Sequence, residues 1–151
     1  MNPFKPKDPE YQARVRASFD RQEAMKTLGV TIVRLEPGEV ELAMPYSRSF
    51  TQQHGFLHAG IVATALDSAC GYAAFSLMPA DASVLSVEFK LNLLAPAKGE
   101  RFLFTSRVVK PGRTITVCEG RAVAVGADGE KLVATMTATM MAIFDRGGIQ
   151  H

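Results

Sequence analysis

Residues 52–78 read QQHGFLHAGIVATALDSACGYAAFSLM, and this stretch decides the fold. From residue 57 to 78 it is almost wholly apolar or small, and its only formal charge is Asp67. A helix hydrophobic all round is either wrapped by the rest of a protein or embedded in lipid. One carboxylate in its middle is costly unless it is paired or used. The segment is long enough to span a bilayer. Against that, it carries Asp67, His58, two glycines and several hydroxyls, and a charge at mid-bilayer is expensive. It therefore reads as the buried axis of a soluble domain, with no membrane association expected.

Outward from this axis, the chain supplies a wrapping. Upstream, Asp8-Pro9-Glu10 is a helix start, a capping acid followed by proline and a second acid in the first turn. The segment to Leu28 keeps Tyr11, Val15, Phe19 and Met25 near one face, so one amphipathic helix is expected, ended by Gly29. Residues 30–35 and 40–45 read as strands joined by Pro37-Gly38, a type II turn signal. Residues 46–55 form a polar loop that leads into the axis, and Pro79 closes it. Downstream, residues 84–94 alternate strictly: Leu85, Val87, Phe89, Leu91 and Leu93 on one face, Ser86, Glu88, Lys90 and Asn92 on the other. Strands at 101–110, 114–125 and 131–144 follow, separated by Pro111-Gly112-Arg113 and by the hairpin signal Asp128-Gly129. The order is helix, two strands, long buried helix, four strands. In so small a chain, only a curved antiparallel sheet buries one helix on every side.

The totals agree with one α+β domain. A chain of 151 residues builds a single core: an N-terminal helical segment over 1–28, then the main body over 29–145. The formal charge of +2, without dense runs of Lys or Arg, gives no footprint for nucleic acid. Cys70 and Cys118 lack metal-ligand spacing and read as reduced core residues of a cytoplasmic protein, with no metal or cofactor expected. The first residues contain no apolar run of signal-peptide kind.

That element order, with HGFLHAG entering a helix that ends in ALDSACGYAA, resembles the hotdog fold, specifically the acyl-CoA thioesterases of the phenylacetate-pathway type. The resemblance covers roughly residues 17–144. It implies a bent sheet around one long helix, a dimer as the minimal unit, and hydrolysis of coenzyme A thioesters without metal or bound cofactor. The family's helix-start motif is usually His-Gly-Gly; here it is His58-Ala59-Gly60. The family's acid, eight positions after the middle residue, matches Asp67. An amide often found six residues before the histidine is Asn in relatives and Gln52 here. Ser86 falls where some relatives place a water-orienting hydroxyl. Gly112-Arg113 matches a turn often found near the coenzyme, which implies a rim of Arg113 and Lys110 for its phosphates.

Thioester hydrolysis needs an activated water, or an attacking carboxylate, and donors for the oxygen that becomes negative. The first N–H groups of a helix lack intrahelical partners and face a positive dipole end. No Ser, Thr, Asp or Asn stands beside His58 to cap them, so the N–H groups of Ala59 and Gly60 are expected to be open to substrate. Asp67 lies eight residues beyond Ala59, about 12 Å along a helix. A reacting group must approach within about 3–3.5 Å, directly or through one water. One chain therefore cannot bring both to the same carbonyl. Two antiparallel copies of the helix, crossing near Ala63, can. The expected unit is a homodimer, with two dimers paired into a tetramer as the alternative, and acyl-CoA as substrate.

The roles follow. Asp67 is general base or nucleophile, Ala59 and Gly60 N–H are oxyanion donors, and Gln52 adds a donor. Ser86 orients the water or Asp67, and His58 fixes the loop or polarises the carbonyl. Apolar pocket residues favour a medium or long aliphatic acyl group, or an aromatic one. Plainer readings stand beside these: a satisfied buried carboxylate, a structural histidine, a loop glutamine, a solvent-side serine and solvated surface cations. Two other functions use the same fold. A hydratase or dehydratase pairs a histidine with the acid, and no histidine follows Asp67 before His151. An acyl-CoA-binding sensor would make no use of Asp67.

Overall fold

The computed structural model describes residues 3–149. Two helices, α1 (Tyr11–Asp20) and α2 (Glu23–Leu28), precede strands β1 (Thr31–Glu36) and β2 (Glu39–Pro45). A single 3-10 turn (Arg48–Phe50) leads to α3 (Ala59–Phe75), and β3 (Ser83–Leu93), β4 (Arg101–Lys110), β5 (Ile115–Gly126) and β6 (Gly129–Ile143) follow. The six strands form one antiparallel sheet in the order β1-β2-β4-β5-β6-β3, curved around α3. This is the hotdog fold.

Local chemistry explains most of these elements. The β1–β2 hairpin closes on Pro37-Gly38, where Gly38 takes φ 76°, a value side chains resist. α3 presses Val62, Ala65, Leu66, Ala69, Cys70 and Ala73 against the sheet, all fully or nearly buried. It packs tightly over Gly120 of β5, where an added Cβ would stand 3.1 Å from Leu66 Cδ2 and 3.2 Å from Cys70 Sγ. The facing sheet residues are Leu42, Met44, Phe102, Phe104, Met136 and Met140, each 2% exposed or less.

Four expectations are corrected. The N-terminal helix breaks at Arg21-Gln22. At 100° per residue a straight helix would carry Met25 about 120° away from Phe19; with the break, Met25 and Leu28 are buried in the same core as Val15 and Phe19. Asp8 is not the helix cap, since Glu10 holds that position without a side-chain cap. Instead Asp8 Oδ2 pairs with Arg14 Nε at 2.7 Å. Arg14 Nη2 donates to the carbonyls of Phe75 (3.2 Å) and Met78 (2.7 Å), and its guanidinium lies 4.2 Å from the Phe75 ring centre. Thus α1 supplies a cation to carbonyls at and just beyond the C-terminus of α3, where the helix dipole favours positive charge.

Third, α3 is not enclosed on every side. Gly60 is exposed, and Ala63, Thr64, Asp67 and Gly71 are half-buried along one stripe. Fourth, β3 does not alternate strictly. Its register against β6 shifts between Ser86 and Glu88, leaving Val87 as the extra residue of a β-bulge. Directly opposed residues share a face. Ser86 opposes buried Met140, whereas beyond the bulge Phe89, Leu91 and Leu93 oppose buried Ala138, Met136 and Ala134. The bulge therefore puts Ser86 on the helix side together with these apolar residues. As an edge strand, β3 still leaves Val87 53% and Leu93 58% exposed.

Candidate active site

Two clusters stand about two turns apart along α3's open stripe. At the N-terminal end, His58 occupies the cap position in extended backbone, and its Nδ1 accepts the Gly60 N–H at 2.9 Å. The His58 carbonyl accepts from Ile61 N–H (2.9 Å) and Val62 N–H (3.2 Å). The expectation of an uncapped helix start is corrected: the histidine ring itself is the cap, and the Gly60 N–H is engaged. Nδ1 as acceptor leaves the ring hydrogen on Nε2. Ala59 N–H has no hydrogen-bond partner among the described residues.

Gln52 arrives on the preceding loop. Its Oε1 accepts the His54 N–H and its backbone N–H donates to the Phe56 carbonyl at 2.9 Å. With the oxygen engaged, the amide's remaining hydrogen-bonding capacity is chiefly that of a donor. Gln52 and Ala59 line one cavity of about 450 Å³, walled by Phe56, Val62, Leu93, Leu94 and Val133. His54 itself is an exposed loop residue.

Two turns further along, Asp67 is half-buried. Ser86 Oγ donates to Asp67 Oδ1 at 2.6 Å and also touches Met140 Sδ at 3.4 Å. This hydrogen bond fixes the carboxylate's rotamer and leaves Oδ2 for other chemistry. Asp67 is not part of the cavity that holds Ala59 and Gln52. The helix between them is continuous, so the spacing of about 12 Å stands.

Lys110 and Arg113 lie at the β4–β5 turn and are exposed. Ile115 opposes Met141, which opposes Leu85, so this turn flanks the Asp67–Ser86 end of the sheet. Ala122 opposes Ala134, which opposes Leu93, at the Ala59 end. From residue 115 to 122 the strand runs about 23 Å. Within one chain these cations accompany the acid and stand far from Ala59.

Tyr72 and Phe75 pack at the far end of α3: Phe19 and Tyr72 meet edge-on at 5.6 Å, and Tyr72 and Phe75 at 6.3 Å. Cys70 and Cys118 are free and fully buried. Burial pushes the Cys70 thiol up to about 11 and raises Cys118 further. Among the described residues no group of His, Cys, Asp and Glu is arranged to hold a metal ion. Phe56, Leu93 and Leu94 were not singled out as site residues by sequence. Leu93 sits in the alternating run of β3, but its place on a cavity wall depends on the bulge.

The curved sheet around α3, with a cavity at the helix start, defines a hotdog-fold protein. A thioesterase family protein from Silicibacter pomeroyi superposes with a TM-score of 0.88 at 63% identity, over 89% of this chain and 98% of that one. The PaaI protein of the Escherichia coli phenylacetic acid degradation operon shares the fold at 19% identity, with a TM-score of 0.80 over 91% and 96% of the two chains. Human acyl-coenzyme A thioesterase 13 is 30% identical over 103 residues, 67% of this chain and 73% of that one. The thioesterase superfamily profile matches residues 54–128. The chain belongs to the thioesterase superfamily and is a thioester hydrolase. No helix among the described residues is long and apolar enough to cross a membrane.

Proposed function

We propose that the protein hydrolyses acyl-CoA thioesters to a carboxylic acid and coenzyme A, in two identical sites each built from two copies of the chain. One observation carries this reading. The open N–H of Ala59 and the donor amide of Gln52 share a cavity that contains no acid, while Asp67 stands on the same straight helix about 12 Å away. An isologous pair about Ala63 supplies each cavity with the other copy's Asp67. The free edge of β3 supports such pairing. It offers unpaired backbone groups and exposed Val87, Phe89 and Leu93, a combination that monomers normally blunt.

In the composite site the thioester oxygen accepts from Ala59 N–H and Gln52 Nε2, which stabilise the negative charge that develops there. Asp67 of the second copy, held by Ser86, takes a proton from water as the water oxygen bonds to the carbonyl carbon. The tetrahedral intermediate then breaks its C–S bond, and the proton passes to the departing sulfur. If Asp67 attacks directly, an acyl–aspartyl anhydride forms with loss of the thiolate, and water cleaves it in a second step. His58 positions the helix start through Gly60. Lys110 and Arg113, travelling with Asp67, meet the coenzyme phosphates. Fatty or aromatic acyl groups suit the apolar walls. Buried reduced thiols fit the cytoplasm.

Thiol release measured across an acyl-CoA panel, for wild type and Asp67→Asn, tests this. Release by wild type and its loss in the variant is the expected result. Hydration of an enoyl-CoA without thiol release from saturated esters would assign the site to a hydratase. Tight binding without release, unchanged by Asp67→Asn, would make the protein a sensor. After a single turnover in ¹⁸O water, label in Asp67 would identify it as the nucleophile, since the general-base route puts the label only in the product acid.

A further inference from the structure

The cavity that holds Ala59 and Gln52 has a neighbour. A second cavity of about 810 Å³ lies between the loop at 96–100 and the β5–β6 hairpin, and Phe56 and Pro96 line both. This partition is anchored on each side. Gln52 N–H holds the Phe56 carbonyl, and Leu57 N–H donates to the Ala97 carbonyl at 3.0 Å. Beside Pro96, the N–H groups of Leu94 and Ala95 donate to the Val133 carbonyl, and Glu100 N–H donates to the Val125 carbonyl at 2.8 Å. Phe56 therefore stands at a fixed place between two spaces, each of a size that takes small-molecule ligands.

Charge decides which end of a substrate enters the second space. Its rim carries Glu100, Asp128 and Glu130 against Lys98 and Lys131, a formal balance of −1. A coenzyme bearing several phosphate charges gains nothing there. An uncharged tail is accepted, because Phe56, Pro96, Ala124 and Ala127 supply apolar wall. The cations of the β4–β5 turn lie at the other end of the sheet. With the carbonyl at Ala59, the coenzyme extends toward that turn in the second copy and the acyl chain runs away from it.

We propose that Phe56 sets acyl chain length: short and medium acyl groups fill the first cavity, and long chains pass Phe56 into the second. This rests on the acyl-CoA thioesterase reading and on Ala59 marking the carbonyl. Widening the partition should favour long substrates, and filling the second cavity should exclude them.

The test is kcat/KM by thiol release from butyryl- to stearoyl-CoA for wild type, Phe56→Ala, Phe56→Trp and Ala127→Phe. A few methylenes gained or lost from an apolar pocket change kcat/KM by about tenfold or more. Phe56→Ala is expected to raise the palmitoyl-to-octanoyl ratio by about that factor. Phe56→Trp and Ala127→Phe are expected to lower it similarly. Unchanged ratios in the folded variants overturn the proposal while leaving the thioesterase reading intact. No thiol release from any ester by wild type overturns that reading itself. If the Phe56 variants do not fold, Ala127→Phe, at an exposed hairpin tip, decides alone: an unchanged ratio there overturns the chain-length role.

Discussion

Ser86 Oγ lies 2.6 Å from Asp67 Oδ1, and it reaches the carboxylate because the bulge at Val87 exchanges the two faces of β3. Before the bulge Ser86 opposes Met140 on the helix side; after it, Glu88 opposes Thr139 on the outer side. A regular strand with Phe89, Leu91 and Leu93 turned to the helix would have pointed Ser86 at solvent.

Removing that hydroxyl isolates its contribution. A hydrogen bond to a charged group contributes about 1.5–3 kcal/mol, so Ser86→Ala is expected to lower kcat about 10- to 150-fold with little change in KM. Asp67→Asn should cost about 10²- to 10⁴-fold. Ser86→Thr, which keeps the donor, should restore most of the rate. Steady-state kinetics on the three variants read this directly, and a KM effect without a kcat effect would place Ser86 in binding instead.

Shared sites make a genetic prediction. Asp67→Asn and Gln52→Ala homodimers should each be impaired. Mixed dimers of the two variants contain one site with both residues intact and should recover up to half the wild-type rate per dimer. Co-purified heterodimers with differently tagged subunits supply the measurement. Sound mixed dimers with no recovery would place the whole reaction within a single chain.

The histidine cap predicts a separation of stability from chemistry. His58→Ala removes the acceptor from Gly60 N–H, and loss of an N-cap costs about 1 kcal/mol. His58→Asn supplies a capping oxygen and is expected to regain the stability. Denaturant midpoints compare the variants. If His58→Asn recovers stability but not activity, the ring takes part in the reaction beyond holding the helix start.

Arg14 joins α1 to the end of α3. Its side chain is 14% exposed, and that of its partner Asp8 is 9%. Breaking a buried pair costs about 3–5 kcal/mol, which in a chain of this size lowers Tm by about 6–20 °C. Arg14→Met tests it by thermal unfolding. A Tm within a degree of wild type would show that α1 does not depend on this contact.

Burial of Cys70 predicts a loss of stability in base. Its thiol is raised to about 11 in the folded protein, against about 8.5 in an unfolded chain. The folded state therefore keeps a proton that the unfolded state releases. The contribution is complete below the unfolded value and is lost as pH rises toward 11, at up to about 1.4 kcal/mol per pH unit. Unfolding free energies across this window should fall more steeply for wild type than for Cys70→Ala, and parallel slopes would contradict the assignment.

Apart from the break in the N-terminal helix, the sequence by itself determined the order of elements, the curved sheet around a helix placed within residues 57–78, and the distance between Ala59 and Asp67. These follow from local rules: apolar periodicity, turn residues such as Pro37-Gly38, and the constant rise of a helix. Tertiary structure alone decided the rest. The bulge at Val87 depends on how β3 registers against β6, and alternation read along one strand carries no trace of a register shift. Arg14 finds the Phe75 and Met78 carbonyls more than sixty residues away, and Phe56 becomes a partition only when residues 96–100 fold over the sheet. Even His58, local as it is, required its ring orientation to be known before Gly60 N–H was seen to be engaged. Chain geometry propagates a few residues along the backbone, whereas contacts between distant segments are set by the packing of the whole.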